Sequence, residues 1–235
     1  MANAIKDFIV DSKRLLSNRL YVSKKNENGI IDAFHKLYYN SAAFGKTWAN
    51  TYFLGVQTLK CPLGMWCYQE ILYSTRPDVI IETGTYQGGS ALYMATICDA
   101  IGNGKIISID IEKRKVPRHS RIFYINGSSV DADVVSKVRS RIKPGNRVMV
   151  ILDSNHTKEH VLEEMKKYSG IVSKGCYMIV EDTNVKGHPI DIDSEDDPMS
   201  AIEMFMRNNH DFKTDRQKEK FLLSFNPSGY LLKIK

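Results

Sequence analysis

A chain of 235 residues is long enough to bury the core of one ordinary domain, or one domain with an appendage, without disulfide or metal staples. Its formal net charge of +6 comes from 33 basic against 27 acidic residues, and the excess lies in dispersed stretches such as Lys24-Lys25, Lys113-Arg114-Lys115 and Arg216 to Lys220. Without arginine–aromatic interleaving this argues against a nucleic-acid groove, and the four cysteines, Cys61, Cys67, Cys98 and Cys176, have neither C-x-x-C nor metal-finger spacing.

Met1 to Leu20 places Lys6, Asp7, Asp11, Lys13 and Arg14 among its apolar residues, so it offers neither a signal-peptide core nor a membrane span. A cytoplasmic protein with reduced thiols is expected. Residues 1–58 combine helical spacing at Ile5, Phe8, Ile9, Leu15 and Leu16 with an aromatic patch from Tyr38 and Tyr39 through Phe44, Trp48, Tyr52 and Phe53. This reads as an N-terminal helical extension serving as a cap, a substrate lid or a subunit contact, and a homo-oligomer is expected.

The main domain is read over residues 59–235. Pro62 opens an amphipathic helix carrying Met65, Trp66, Tyr68, Gln69, Ile71 and Leu72, which Arg76-Pro77-Asp78 terminates. Strands are predicted at Val79–Glu82, Lys105–Ile109, Ile122–Ile125, Arg147–Leu152 and Tyr177–Val180, with helices at Ser90–Ile101, Asp131–Ile142 and Thr157–Tyr168. Such alternation implies an α/β fold around a mostly parallel sheet. After a helix at Met199–Asn208, strand-like runs at Phe221–Phe225 and Tyr230–Ile234 flank Asn226-Pro227-Ser228-Gly229, which predicts a closing antiparallel hairpin.

The chemistry concentrates where strands end. Val79-Ile80-Ile81-Glu82 runs into Thr83-Gly84-Thr85-Tyr86-Gln87-Gly88-Gly89-Ser90, a strand feeding a glycine turn and a helix N-terminus, which suits a nucleotide-like ligand. The spacing is neither G-x-G-x-x-G nor a phosphate loop. Glu82 would repel a pyrophosphate but suits a cationic ligand bearing an amino group and a sulfonium; its plainer reading is a carboxylate satisfied by nearby N–H groups. Asp110 ends the second strand, where an acid accepts hydrogen bonds from ribose hydroxyls. Ser128 and Ser129 follow the third strand and either line an adenine pocket or cap the next helix.

The fourth strand ends Asp153-Ser154-Asn155-His156 and the fifth ends Glu181-Asp182. Neighbouring parallel strands lie about 5 Å apart, so Asp153, Glu181 and Asp182 are expected to converge, and a hard divalent cation such as Mg²⁺ would relieve their repulsion. The plainer reading is that these acids cap helices and meet lysines. His156-Thr157-Lys158-Glu159-His160 also matches the inverted zinc-protease pattern H-x-x-E-H, but zinc would leave the glycine cradle and the acids without a role. His160 is therefore expected on a helix face, and His156 as a general base.

Glu82-x-Gly84-x-Tyr86-x-Gly88-x-Ser90 followed by Asp110, Asp153 and the acid pair resembles class I S-adenosylmethionine-dependent methyltransferases, especially the metal-dependent catechol-type O-methyltransferases. Lys60-Cys61-Pro62-Leu63 through Tyr68-Gln69-Glu70, together with Leu152 to Thr157 and Glu181-Asp182-Thr183, is similar to the cephalosporin hydroxylase family and its rhamnosyl O-methyltransferase relatives. The resemblance implies a Rossmann-like seven-stranded sheet over roughly residues 50–235. It also implies S-adenosylmethionine held by Glu82, Gly84, Tyr86, Gly88, Ser90, Asp110, Ser128, Ser129 and Asp153, and Mg²⁺ held by Asp153, Glu181 and Asp182. His156 stands where catechol-type enzymes carry a lysine base. The expected reaction is metal-assisted methyl transfer to a hydroxyl of a saccharide or another polyhydroxylated small molecule, with the polar loop Asp191 to Asp197 folding over it or serving as a solvated linker. The rivals are a hydroxylase with a redox-active metal, a non-catalytic cofactor-binding subunit and a zinc peptidase.

Overall fold

The structure is a computed structural model that describes residues 24–190 and 197–235. The helical spacing read at Ile5 to Leu16 and all of the Asp191–Asp197 loop except Asp197 lie outside the described residues.

The described chain starts with α1 (Lys24–Asn40) and two short 3₁₀ turns, then a hairpin of β1 (Tyr52–Phe53) and β2 (Val56–Gln57). Within the helical extension expected over residues 1–58, residues 52–57 form this hairpin and not helix. Leu54 and Gly55 both take positive φ (47° and 80°), the two-residue geometry whose twist matches that of paired strands. α2 (Pro62–Thr75) begins with its proline in the first turn and ends at Arg76, whose left-handed conformation lets its N–H reach the Leu72 carbonyl at 2.9 Å.

Alternation then proceeds through β3 (Val79–Thr83), α3 (Gly89–Ile101), β4 (Lys105–Asp110), β5 (Ile122–Asn126), α4 (Ala132–Arg139), β6 (Val148–Leu152), α5 (Lys158–Tyr168), β7 (Tyr177–Val180) and α6 (Pro198–Asn208). Two strands, β8 (Phe212–Thr214) and β9 (Tyr230–Lys233), complete a seven-stranded sheet of order β5-β4-β3-β6-β7-β9-β8. β3 to β7 pair in parallel, and β9 runs antiparallel to both neighbours. Every position of β3, β6 and β7 is buried, because helices cover both faces of a parallel sheet; this is why these strands read as unbroken apolar runs.

The antiparallel pair at the end is present, but its first strand is Phe212–Thr214 and not Phe221–Phe225. Leu222 has φ 68°, which interrupts an extended run, and Phe225 is drawn out of the sheet into an aromatic cluster. Its ring lies 5.4–6.1 Å from the rings of Tyr38, Tyr39 and Trp48 and stacks on His35 at 5.7 Å. His35 is buried, its pKa is lowered by that burial, and its Nε2 accepts a hydrogen bond from the Asn184 amide at 2.9 Å. Phe225 and Asn184 thereby dock α1 against the loop that follows β7.

Candidate active site

In this strand order the chain departs from β3 in both directions, first outward to β4 and β5 and then back to β6, so the crevice above the β3 and β6 ends is the topological switch point. Register sets what meets there. Thr83 pairs with Leu152, which puts Gly84 beside Asp153. Gly84 has φ 86°, and a Cβ built on it would lie 2.6 Å from the Asp153 carbonyl carbon and closer still to its oxygen. The absent side chain thus makes room for the protein's own backbone, where the sequence had suggested room for a ligand. Gly89 acts in the same way toward residues 57 and 58, since its Cβ would sit 2.5 Å from the Gln57 carbonyl.

Two adjoining cavities occupy the crevice. One of about 380 Å³ is walled by Tyr39 and Trp48 on one side and by Tyr86, Asp110, Asp153, His156 and Asp182 on the other. The second, about 320 Å³, runs between Ile109, Ile111, Gly127, Ser128, Ser129 and His160. They share Gly84, Asp110 and Ser154.

Asp110 stands at that junction, fixed by its own loop: its carboxylate accepts the Tyr86 N–H at 2.7 Å and the Glu112 N–H at 2.8 Å. Tyr86 has φ 49°, an uncommon left-handed conformation for a bulky residue, and Arg114 lies over its ring at 5.1 Å. Gly88 caps α3 in the left-handed conformation with φ 79°. Glu82 does not line either cavity. It is 1 % exposed, its two oxygens accept the hydroxyls of Ser90 (2.5 Å) and Ser108 (2.6 Å), and burial pushes its pKa up to about 7 despite the nearby Lys60 ammonium. Ser90 links Glu82 to the cavity wall.

On the opposite side the acids do converge, with a partition the sequence had not separated. Donor atoms of Asp153, His156 and Asp182 lie within 4.8 Å of one another. His156 Nε2 is 3.3 Å from Asp153 Oδ1, and its Nδ1 is 3.3 Å from Asp182 Oδ2. Asp182 is turned toward the ring by a φ of 53°. Burial alone would lower the His156 pKa, but its hydrogen bond to Asp153 and the charges of Asp182 and Asp153 prevail and raise it to about 9. Glu181 stands apart from this trio. Its Oε1 lies 2.5 Å from the Lys60 ammonium and accepts the Tyr68 hydroxyl at 2.5 Å.

Lys60 is the residue the sequence reading missed as a site member. It is buried, and its ammonium bridges Asp153 and Glu181. Burial would depress its pKa, yet the charges of Asp153, Glu181 and Glu82 outweigh burial and raise it. The same ammonium, helped by His156, keeps Asp153 below the usual carboxylate range against the cost of burial. Glu181 is nonetheless pushed up to about 8 and Asp182 upward, first by burial and then by their neighbouring carboxylates. Lys60 and His156 thus stand against three acids, of which Asp153 and Asp182 remain partly open to the chamber. Two hints lay in the sequence: Lys60 opens the Lys60-Cys61-Pro62-Leu63 stretch that carries the family resemblance, and converging acids demand a counter-charge.

Because removing one partner of a buried ion pair leaves an uncompensated charge, Lys60→Met should lower stability by about 3–5 kcal/mol. Denaturant melts with and without Mg²⁺ check this: the ion should restore more stability to the variant than to the parent, because the carboxylates lose their internal competitor.

The inverted zinc-protease pattern dissolves in three dimensions. His160 turns away from His156 to the second cavity, where its Nε2 lies 3.1 Å from Ser154 Oγ and 3.2 Å from Ser129 Oγ.

Residues 45–234 match the family described as Rhamnosyl O-methyltransferase/CmcI. A curated rhamnosyl O-methyltransferase of Mycobacterium tuberculosis (strain ATCC 25618 / H37Rv) is 35% identical over 88% of this chain and 86% of its own. One from Mycobacterium leprae (strain TN) is 34% identical over 88% and 91%. Among solved structures, CmcI with Mg and SAM superposes at a TM-score of 0.61 with 19% identity, over 79% of this chain and 77% of that one, a likeness of fold.

Proposed function

Since this chain belongs to the rhamnosyl O-methyltransferase/CmcI family, we propose that it is an S-adenosylmethionine-dependent, divalent-metal-assisted O-methyltransferase acting on a sugar hydroxyl. The observation that carries the reading is the junction of the two cavities: Asp110 lies between a cavity lined by Ile109, Ile111, Ser128 and Ser129 and a larger chamber that opens on Asp153, His156 and Asp182. In this reading Ser128 and Ser129 hold the adenine side, Asp110 the ribose hydroxyls, and Gly84, Tyr86, Gly88 and Ser90 the turn beside the methionine part. Glu82 acts from beneath through Ser90.

The donor set fits a hard cation. Asp153 and Asp182 face the chamber, and Glu181 is the adjacent carboxylate held by Lys60. Burial first, and then the neighbouring carboxylates, raise Glu181 and Asp182, and three oxygen donors held this close are the kind of set a hard cation takes. When bound, a divalent cation supplies Lewis-acid polarisation and a template for neighbouring hydroxyl oxygens. His156 takes the proton of the acceptor hydroxyl as that oxygen attacks the sulfonium methyl, the S–CH3 bond breaks and its electron pair returns to sulfur to leave S-adenosylhomocysteine, and Tyr39 and Trp48 line the chamber as aromatic neighbours for the sugar ring. A hydroxylase of the 2-His-1-carboxylate type is disfavoured, because the trio contains one histidine and two carboxylates.

Calorimetry with S-adenosylmethionine, followed by a labelled-methyl assay on a panel of rhamnosides with and without Mg²⁺, tests the reading. Absence of cofactor binding would overturn it, and transfer indifferent to chelator would overturn the metal. The titrations add a signed expectation. In the metal-free protein His156 (about 9) and Glu181 (about 8) hold protons at pH 7, and a cation expels protons from its ligands. Mg²⁺ affinity should therefore rise with pH from 6 to about 9 and level off above it. Calorimetry in buffers of different ionisation enthalpy should show release of at least about one proton per ion at pH 7.

A further inference from the structure

His160 and Glu164 lie one helical turn apart on α5, on the face toward the second cavity, and the proposed reaction assigns neither of them a role. Glu164 is 0 % exposed. Its Oε1 accepts the hydroxyls of both Ser129 (2.5 Å) and Ser154 (2.7 Å), while its Oε2 is buried with no hydrogen-bond partner. No lysine or arginine pairs with it among the described residues; the ring of His160 stands beside it, with Nε2 3.5 Å from Oε1. A fully buried carboxylate with an unsatisfied oxygen is costly, so its presence calls for an account beyond packing.

The account lies in where the serine hydrogens point. Both hydroxyls are directed at the one oxygen Oε1, so both of their protons are spent on Glu164. Each serine oxygen has two lone pairs, of which His160 Nε2, 3.1 Å from Ser154 Oγ and 3.2 Å from Ser129 Oγ, engages at most one, and Ser129, Ser154 and His160 all line the second cavity. Tyr168, whose hydroxyl donates to the Ser129 carbonyl at 2.8 Å, fixes the same stretch from behind. The wall is thus set to accept hydrogen bonds. A wall of acceptors selects a ring edge that carries an N–H donor and rejects the same ring with a carbonyl in that place, because two acceptors then face each other without a proton.

We propose that Glu164 and His160 are positioning residues that lock Ser129 and Ser154 as acceptors and make this pocket selective for a 6-amino purine over a 6-oxo purine. The inference rests on the proposed assignment of the second cavity to the nucleoside of the methyl donor. It gives the second histidine of His156-Thr157-Lys158-Glu159-His160 a task unrelated to metal.

The test compares the affinities of S-adenosylhomocysteine and its 6-oxo counterpart S-inosylhomocysteine, each by calorimetry with the full-length protein. The parent should prefer the 6-amino ligand by about 100-fold or more. Glu164→Leu and the double variant Ser129→Ala/Ser154→Ala should bring the preference under about 10-fold. Glu164→Gln, which keeps an acceptor at Oε1, should retain most of it. A merely structural role would weaken both ligands alike and leave their ratio unchanged. Should Glu164→Leu fail to fold, Ser154→Ala, which leaves the buried carboxylate in place, carries the comparison and should lose at least about fivefold of the preference. Equal affinity of the parent for both ligands, or full selectivity in the serine variants, would overturn the proposal. Failure of the parent to bind either ligand would instead overturn the assignment of the cavity.

Discussion

Exchange of His156 for alanine should lower kcat by about 10²–10⁴-fold, the range that a positioned general base contributes, while S-adenosylmethionine affinity stays within about twofold. The ring touches Asp153 and Asp182 and lines the larger chamber, but it is not among the residues lining the second cavity. The pH profile sharpens the expectation. A base works deprotonated, and the two carboxylates raise the His156 pKa to about 9 without a cation. Positive charge held by those carboxylates removes their hold on the proton and moves the pKa down, so log kcat should climb with pH to a plateau reached below 9. The variant should lose that limb. Added imidazole should restore part of the rate, which a purely structural role would not allow. Loss of cofactor affinity in parallel with rate would count against the base assignment.

Gly84→Ala should cost about 3 kcal/mol or more and weaken cofactor binding at least tenfold. Two penalties combine. A residue with a side chain at φ 86° costs about 1–2 kcal/mol, and the new Cβ must displace the Asp153 carbonyl, backbone that cannot move aside as a flexible side chain would. Gly102→Ala provides the control. Gly102 has a similar φ of 71°, but no atom lies within 4 Å of its Cβ position, so only the conformational cost of about 1 kcal/mol remains. Denaturant melts of the two variants separate collision from conformation. Equal losses would mean that the close approach of β6 to the glycine turn carries no energy. Because Asp153 shares that backbone, Gly84→Ala should also lower Mg²⁺ affinity, whereas Gly102→Ala should leave it unchanged.

Much of the site could be read before any fold was known because a parallel sheet sends every strand end to one edge. Asp110, Asp153 and Asp182 each follow an apolar run, so their approach to one crevice needs no knowledge of strand order. The direction of a side chain at a strand end is a different matter. Glu82 and Glu181 both follow buried runs, yet Glu82 turns into a serine pair and Glu181 onto Lys60 and Tyr68. Whether a carboxylate faces a cavity or a buried partner depends on which residues the neighbouring elements bring up, and those lie far away in the chain.

By itself, then, the sequence determined the alternation of strands and helices from Val79 to Val180, the glycine turn after β3 and the row of acids at strand ends, because period and strand direction are local properties. Tertiary structure decided the rest. It brought Lys60 across 93 residues to Asp153 and gave β9 the partner Phe212–Thr214 once Phe225 was taken by the aromatic cluster. It also parted His156 from His160, which share a five-residue motif but meet different neighbours. Each of these is a choice among distant partners of similar chemistry, and such choices are made by strand order, register and burial, which no local pattern encodes.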